Sequence, residues 1–507
     1  MAEQVVFFDI GGTLGIPRIS PPPFRLEGLD TYPFVTAVLE ELRSTGARLG
    51  IISNTGNETS ESMQKVLEES GLFDFLGPAL LIYSSVVGLE KDSPDIFQLA
   101  VQRSGHAASP EQCLFVGEDS HERHYALQAG LRVCPHPLLA KEVLNGARLR
   151  FARLSTPPQQ QERQWRNVLR QLLVVPLHSS GERGTTIYAI ITQSALPKLV
   201  NSLFEVQLLG DVDDPSTADL YLLRDDLATS TGFLSDLGQS TKILENTNEA
   251  QLLLSSSEEG LLVKVPWDHS VEEFHFETAN HGHNLKLMAD PNLLEPFGSG
   301  MNERAASWLA AEATEPSLTD AEKEELDRIT GEAILQYLDR YTGEKPLGDD
   351  TGTRIKSRHI QSADNARATE MLARDFQRIG GSDFSVSVHP FTHEGRMLYN
   401  VIAELPGESS DELVLVTAHL DSTAALSPPY DPLQDPAPGA DDDCSGVAAV
   451  LVSATALHNL ATVRKSKRTL CGSSCLMRRS MVWWAAGLMR GMRRYRRHRL
   501  WQSTRWT

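Results

Sequence analysis

Apolar runs alternate with amphipathic stretches over the first 150 residues of the chain. Four runs predict buried strands, at Val5–Phe8, Arg48–Ser53, Ala79–Ser84 and Cys113–Val116. Three stretches between them have the spacing of amphipathic helices, at Phe34–Ser44, Ser60–Ser70 and Asp95–Ser104. Repeated strand–helix units predict a parallel sheet with helices on both faces, and such sheets carry their functional sites at the carboxyl ends of the strands.

The pattern divides the chain into six segments with different character. They are an α/β domain at 1–150, a polar linker at 151–167, an α+β middle region at 168–300, a helical connector at 301–344, a second α/β segment with a mixed sheet at 345–465, and a tail at 466–507. The middle region has predicted strands near Thr186–Thr192 and Asp219–Leu223, but nothing in it indicates a role.

Capping and breaking signals place the elements of the connector and of the second α/β segment. Thr319 and Glu322 have the spacing of a capping box, which predicts a long helix ending near Tyr341. The following elements are predicted as a helix at Ala363–Ile379 and strands at Ser385–Val388, Asn400–Leu405 and Glu412–Ala418.

Composition narrows the class of protein. A chain of 507 residues exceeds the ~250–300 residues at which a single core stops growing, so at least two domains are expected. The sequence shows no secretory leader and no apolar stretch long enough for a bilayer, which predicts a cytoplasmic protein without a membrane partner. Five cysteines are too few for a disulfide framework, and Cys113 and Cys134 are predicted to be small core residues.

The net charge of −20 conceals an asymmetry between the body and the tail. Residues 461–507 hold 13 of the 47 Lys and Arg residues, which leaves 34 basic against 67 acidic side chains in residues 1–460. An acidic body argues against a nucleic-acid partner, whereas the Arg-rich tail taken alone would favour one.

The first constellation of candidate residues lies at strand ends in residues 1–135. Asp9 ends the first strand in the glycine turn FFDIGGTL, Ser53 ends the second strand, Lys91 follows the third, and Glu118 and Asp119 follow the fourth. This order resembles the four motifs of the haloacid dehalogenase superfamily. The resemblance implies a Rossmann-like domain without a large cap, in which Asp9 is the nucleophile, Ser53 and Lys91 hold a phosphoryl group, and Glu118 or Asp119 binds magnesium.

One position departs from that family. Its phosphatases have a second Asp two residues after the nucleophile, which acts as general acid and base, whereas this chain has Gly11. Two interpretations stay open: a hydrolase acting on a phosphorylated small molecule, or a retained fold used for packing or regulation. In the middle region, four histidines within residues 269–283 lack the spacing of a zinc motif and are interpreted as ordinary loop residues.

The second constellation lies in residues 345–465. A strand ends in His419 and Asp421, and Asp441–Asp443 then lie in a glycine-flanked turn before an apolar helix. Adjacent carboxylates repel one another unless a cation neutralises them, and a nearby imidazole suits zinc, although a calcium loop is the alternative.

This constellation resembles the co-catalytic di-zinc aminopeptidase family over about residues 325–465. The resemblance implies peptide substrates and two zinc ions, with His419 and Asp442 as zinc ligands and Asp421 orienting the imidazole of His419. Cys444 stands where the family has Gly or Ala. The family's Glu-Glu pair and its later ligands have no counterpart, which predicts an inactive peptidase as the sequence stands.

The tail has no helical or strand periodicity, and its codons suggest a shifted reading frame. A shifted codon consists of the last base of one residue's codon and the first two bases of the next residue's codon. Across Leu476–Ala485, such codons permit the string Asp-Ala-Glu-Glu-His-Gly-Leu-Val-Gly. Met and Trp each have one codon, which restricts the residues that the shifted frame can encode. This string contains the missing Glu-Glu pair, which predicts a frame slip near Ser466–Leu470.

Overall fold

A computed structural model provides the structure of the chain. It describes residues 4–20, 22, 24–105, 109–156, 162–180, 185–225, 253–257, 260–269, 282–294, 319–348, 352–393, 395–406, 413–424, 429–471 and 480–486. These residues divide into two compact units. Unit 1 comprises Met1–Pro17, Gly28–Met301 and Thr392–Arg396, and unit 2 comprises Arg18–Glu27, Asn302–Phe391 and Met397–Thr507.

The first 150 residues form alternating strands and helices. Their strands are β1 (Val5–Phe8), β2 (Gly15–Ile19), β3 (Leu26–Thr31), β4 (Arg48–Ser53), β5 (Leu81–Tyr83), β6 (Cys113–Val116), β7 (Arg132–Cys134) and β8 (Leu149–Ser155). Their helices are α1 (Val35–Ser44), α2 (Ser60–Glu69), α3 (Ser84–Val87), α4 (Asp95–Arg103), α5 (Ser120–Gln128) and α6 (Ala140–Leu144). The four strands and three helices predicted here are confirmed, with ends that differ by up to two residues.

The centre of this part is a parallel sheet in the order β5-β4-β1-β6-β7. All four side chains of β1 are fully buried, as expected for a strand covered on both faces. The thiols of Cys113 and Cys134 are buried and free, which confirms that they are core residues. The predicted α/β fold with a parallel sheet is therefore correct.

The middle region of unit 1 consists of two antiparallel sheets. Its further strands are β9 (Val175–Ser180), β10 (Thr186–Thr192), β11 (Glu205–Leu209), β12 (Ala218–Asp225), β13 (Leu253–Ser257), β14 (Gly260–Pro266) and β15 (Gly282–Lys286), and its helices are α7 (Glu162–Gln171), α8 (Leu196–Asn201) and α9 (Asp214–Thr217). The strand orders are β11-β8-β10-β9 and β13-β14-β12-β15.

Part of the predicted linker is ordered. Residues from Glu162 onward form α7, whose Trp165 and Arg166 are buried. The polar composition concealed this helix because its apolar positions are few. Since Leu169 joins Trp165 in the core of the adjoining sheet, tertiary packing outweighs the local composition.

Unit 2 contains the predicted second α/β segment. Its helices are α10 (Asp320–Asp327), α11 (Gly331–Tyr341), α12 (Ala363–Gly380) and α13 (Ser445–Cys471), and its strands include β16 (Ser385–His393), β17 (Arg396–Leu405), β18 (Leu413–His419) and β19 (Ser480–Ala486). Strands β18, β19, β17 and β16 are neighbours in that order, with β19 parallel to β18 and antiparallel to β17. The predicted mixed sheet is confirmed.

The predicted long helix of the connector is two helices. The capping box is present, since the Thr319 hydroxyl accepts from the backbone N–H of Glu322 and the Glu322 carboxylate accepts from that of Thr319. The helix stops at Asp327, and Thr330 caps the N-terminus of α11. Gly331 directly after a threonine favours a new N-terminus over continuation, because glycine is a poor interior helix residue.

Helix α13 packs its apolar residues into the core of unit 2. Val447, Leu451 and Ala454 are fully buried against α12 and β17 residues. Among the described residues, one segment, Ala440–Thr462, is long and apolar enough by length and composition to cross a membrane, and half of its most apolar window is buried inside the structure. The expectation that no stretch reaches that length was wrong, but core helices meet the same criterion.

Candidate functional site

Asp9, Ser53 and Lys91 meet at the carboxyl end of the parallel sheet. Asp9 follows β1 and is almost completely buried, while Ser53 ends the neighbouring strand β4. The Ser53 hydroxyl donates to Asp9 Oδ1 at 2.9 Å, and Lys91 Nζ lies 2.7 Å from the same oxygen. The structure thus brings together three residues predicted from separate motifs.

Lys91 has a second carboxylate partner that the sequence analysis missed. Its Nζ lies 2.6 Å from Glu122 Oε2 on α5, and both side chains are buried. Burial disfavours the charge of Lys91, but the ion pairs with Asp9 and Glu122 outweigh it and raise the pKa of Lys91, which is therefore a cation at neutral pH.

The adjacent carboxylates of Glu118 and Asp119 have different environments. Oxygen atoms of Asp9, Glu118 and Glu122 lie within 4.8 Å of one another, which makes them a group able to hold a metal ion. Asp119 instead caps α5, with its Oδ1 accepting from the backbone N–H groups of His121 and Glu122. Of the two residues predicted to bind magnesium, Glu118 belongs to this group of carboxylates, whereas Asp119 caps helix α5.

The surroundings of Glu118 fit a hard divalent cation. Its Oε2 is buried, and no hydrogen-bond donor contacts it in the described part of the chain. Burial, followed by the charges of Glu122 and Asp9, raises the pKa of Glu118 well above its usual value. A cation would remove this unfavourable charge density, and carboxylate oxygens are the ligands that Mg²⁺ prefers.

Two glycines next to Asp9 shape the turn in different ways. Gly12 has a positive φ of 72°, and a Cβ atom there would lie 2.9 Å from Glu118 Cγ, so a bare backbone makes room for Glu118. A Cβ atom at Gly11 would meet only Pro17 Cγ at 3.6 Å and Pro17 Cδ at 3.9 Å, which are ordinary contacts. A Cβ atom at position 11 would therefore make no clash.

The second candidate site lies at the end of β18. His419 is the last residue of that strand, and its Nε2 lies 2.8 Å from Asp442 Oδ1. Its Nδ1 lies 3.0 Å from the backbone oxygen of Asp421, whereas the nearest carboxylate oxygen of Asp421 is 3.7 Å away. Asp421 therefore faces the imidazole with its backbone oxygen and, at the longer distance, with its carboxylate.

His419 and Asp442 form a donor pair that fits zinc. Burial disfavours a charged imidazole, but the contacts with Asp421 and Asp442 outweigh it and raise the pKa of His419 to about 11. Neutral imidazole nitrogen and carboxylate oxygen are both zinc ligands, so zinc would have to displace the imidazole proton when it binds. Asp443 is directed to the backbone, since its carboxylate accepts from the N–H groups of His419 and Gly446. Asp9, Glu118 and Glu122 are the single group of three such donors in the described residues.

A buried arginine holds the segments that carry this second site. Arg358 is fully buried and donates to the backbone oxygens of Tyr341 and Leu420 at 2.8 and 2.7 Å. It also donates to the oxygens of Pro438 and Gly439, which precede the acidic turn. Leu420 lies between His419 and Asp421, so one side chain fixes both segments that supply candidate ligands.

The four histidines of the middle region do not form a described site. His269 Nδ1 lies 2.9 Å from Asp268 Oδ1, which is an ordinary local contact. His275 and His281 lie outside the described residues, as does the side chain of His283.

Comparisons with known proteins find two hydrolase families in the chain. Residues 24–120 match the profile of the haloacid dehalogenase-like hydrolases, and residues 400–471 match that of peptidase family M28. The chain is 30% identical over 101 residues to a phosphoglycolate phosphatase of Aquifex aeolicus, covering 20% of this chain and 44% of that protein. It is 32% identical over 103 residues to a protein described as a probable leucine aminopeptidase of Arthroderma otae, covering 20% of this chain and 26% of that protein.

Several solved structures are similar to parts of the chain. A dehalogenase is 18% identical with a TM-score of 0.22, covering 26% of this chain and 84% of that chain. A Zn-dependent exopeptidase from Parabacteroides distasonis is 20% identical with a TM-score of 0.23, covering 31% of this chain and 46% of that chain. The chain spans less than half the length of the two curated relatives. Its N-terminal part is thus similar to haloacid dehalogenase-like hydrolases, and its C-terminal part is similar to peptidase family M28.

Proposed function

We propose that the chain is a divalent-cation-dependent hydrolase of phosphorylated small molecules, acting at Asp9. The observation that carries this proposal is the convergence of Asp9, Ser53 and Lys91 with two further carboxylates, Glu118 and Glu122, in one buried group. Four of these five side chains are buried and that of Glu118 is half-buried. Four of the five are ionisable, and such a group is costly for stability unless it serves a site.

The geometry supports a covalent route. An Asp9 carboxylate oxygen attacks phosphorus while the bond to the leaving group breaks, and water then attacks the acyl phosphate, releases phosphate and regenerates Asp9. Ser53 and Lys91, which now bond to Asp9, are placed to hold the phosphoryl oxygens. A cation held by Asp9, Glu118 and Glu122 would supply electrostatic stabilisation of the charge on those oxygens.

The experiment is hydrolysis of p-nitrophenyl phosphate by the full chain in magnesium buffer. We expect magnesium-dependent release of nitrophenolate that falls at least about 100-fold in Asp9→Asn, since the amide cannot act as the nucleophile. Asp74→Asn, an exposed carboxylate in the same unit, is the matched control and keeps full activity. Lack of hydrolysis by the unaltered chain, or equal rates in both variants, would refute the proposal.

A second candidate function is favoured by the 2.8 Å approach of His419 Nε2 to Asp442 Oδ1. We propose that this pair binds zinc in the manner implied by the M28 resemblance, with peptides as the substrate class. Catalytic zinc sites use three protein ligands, and the described residues supply two, so we expect zinc binding without peptide hydrolysis. Zinc content lost in His419→Ala would support binding, whereas zinc-dependent hydrolysis of leucine p-nitroanilide would overturn the expected inactivity.

A further inference from the structure

The segment from Leu149 to Leu209 forms a βαββαβ unit. Its elements follow in the order β8-α7-β9-β10-α8-β11, and its strands lie in the sheet order β11-β8-β10-β9. This topology places both helices on one face of the sheet. That face is an apolar core that includes Leu154, Trp165 of α7 and Leu199 of α8. The helices therefore leave the opposite face of the sheet to other contacts.

Two rows of polar side chains, the polar rows, cross that opposite face. Directly opposed residues of antiparallel strands point to the same face, so the strand register identifies the members of each row. The first row consists of Gln207, Arg153, Tyr188 and His178. The second row consists of Glu205, Ser155, Thr186 and Ser180. The ring centroids of Tyr188 and His178 lie 6.0 Å apart, as expected for neighbours on one face.

The polar rows begin where the buried interior of this face ends. The next row towards the interior is apolar, because Phe151 is paired with Ile190 and Leu209, and these side chains are at most 4% exposed. In the first polar row, Tyr188 is 2% exposed, whereas Gln207 on the edge strand is exposed to solvent. The polar rows are therefore not a fully solvated surface, and a ligand that reached them would be partly enclosed.

Arg153 brings a permanent positive charge into the first polar row. It lies on β8, an interior strand, between Gln207 and Tyr188. Its Nε is buried and has no hydrogen-bond partner in the part of the chain that the structure describes. No carboxylate in that part forms an ion pair with its guanidinium, and this includes Glu205 of the second row. A guanidinium is always charged in proteins, so its partial burial without an acceptor costs free energy unless a ligand supplies one.

We propose that this face of the sheet binds a small anionic molecule through a carboxylate or phosphate group, with Arg153 as the residue that holds the anion. The planar guanidinium can donate two parallel hydrogen bonds to either group. The Tyr188 hydroxyl and the Gln207 amide, in the same row, are further hydrogen-bond donors. The carboxylate of Glu205 would repel an anion, which favours the first row over the second. The inference goes beyond the function proposed for Asp9 and does not depend on it.

Calorimetry on the full chain tests the site with two probes, inorganic phosphate and succinate, in a buffer that contains a chelator and no magnesium. We expect at least one probe to bind, and its dissociation constant to rise at least about tenfold in Arg153→Met, because charge-assisted hydrogen bonds are lost. Arg153→Lys keeps the charge without the planar fork, so its affinity should be intermediate. Arg153-dependent binding of phosphate alone would support a phosphoryl ligand, and that of succinate alone would support a carboxylate ligand.

Arg150→Met is the matched control. Arg150 lies on the same strand but on the other face, and it donates to the backbone oxygen of Gly210 at 2.8 Å. Its loss should lower the urea concentration at the midpoint of unfolding and leave probe binding unchanged. Arg153→Met should weaken probe binding but leave that midpoint unchanged or raise it, because this variant removes a partly buried charge that has no acceptor.

Each of the following results would overturn the inference. The first is that the unaltered chain binds neither probe. The second is equal probe binding by the unaltered chain and by Arg153→Met, which would assign any bound phosphate to the N-terminal site instead. The third is a midpoint of unfolding that falls in Arg153→Met as much as in Arg150→Met, which would make Arg153 a structural residue.

Discussion

At the scale of single residues, Gly11 limits the chemistry of the N-terminal site. A leaving group that departs from phosphorus as an alkoxide needs a proton, and the turn around Asp9 offers no acid at position 11. A nitrophenolate or an acyl leaving group needs no such proton. The arrangement therefore favours phosphoryl compounds whose leaving groups are stable anions.

Gly11→Asp should restore activity on alkyl phosphates. The added Cβ would meet only the Pro17 side chain, at 3.6 Å or more, so the variant is expected to fold. We expect kcat/KM for glycerol 2-phosphate to rise about 100-fold, a typical contribution of a positioned general acid, with little change for p-nitrophenyl phosphate. Gly331→Asp, at a glycine of unit 2 with open space around it, is the control and should change neither value. This account would be contradicted if the ratio of the kcat/KM values for the two substrates were the same in Gly11→Asp as in the unaltered chain.

The sequence predicted those candidate residues of the N-terminal site that lie at the ends of strands. Asp9, Ser53 and Lys91 come from motifs with fixed order, and they meet as expected. The choice between Glu118 and Asp119 was not predictable, because it depends on which carboxylate caps α5. Glu122 was missed, although its position one helical turn after Glu118 was a usable signal.

At the scale of elements, the loops of the second site depend on a residue that no motif indicated. Arg358 lies in a short irregular segment before α12, where a charged side chain in sequence suggests solvent exposure. It is fully buried because its guanidinium replaces water for backbone oxygens at the C-terminal end of α11 and just after β18. The helices and strands around it were predicted from periodicity, but the linking contacts are long-range and leave no local pattern.

Arg358→Met should destabilise unit 2 and weaken the candidate zinc pair. The variant leaves the buried carbonyl oxygens of Tyr341, Leu420 and Gly439 without their charged donor. We expect a loss of at least about 2 kcal/mol in the free energy of unfolding by urea, together with reduced zinc retention.

Arg354→Met provides the comparison for this variant. Arg354 is exposed and donates to the backbone oxygen of Gly343 at 3.1 Å, where water can take its place. Its loss should therefore cost less than about 1 kcal/mol and leave zinc retention unchanged. Equal effects of the two substitutions would mean that burial of the Arg358 contacts contributes neither to the free energy of unfolding nor to zinc retention.

At the scale of the whole molecule, the chain joins segments that match two hydrolase families, and the two candidate sites differ in completeness over the described residues. The N-terminal site brings together the residues proposed as nucleophile, as phosphoryl-binding groups and as cation ligands. The site at His419 has two candidate zinc ligands among the described residues. The neighbouring strand does not supply a third. Strand β19 runs parallel to β18, with Ala486 opposite His419, and alanine has no ligating group.

The reading-frame hypothesis predicts that a pair of glutamates, and not an alanine, ends the strand beside β18. A carboxylate can reach His419 from the neighbouring parallel strand only near that strand's carboxyl end, where the present frame reads Ala486. In the shifted frame, the codons across Leu476–Ala485 permit a Glu-Glu pair, and the residues before it would then form the strand. We expect genomic and transcript sequencing to find a missing or extra base near codon 468, followed by an open frame that reads Ala-Glu-Glu. An unchanged sequence in both, or a stop codon early in the shifted frame, would contradict the hypothesis, and the N-terminal site would then be the place to look for activity.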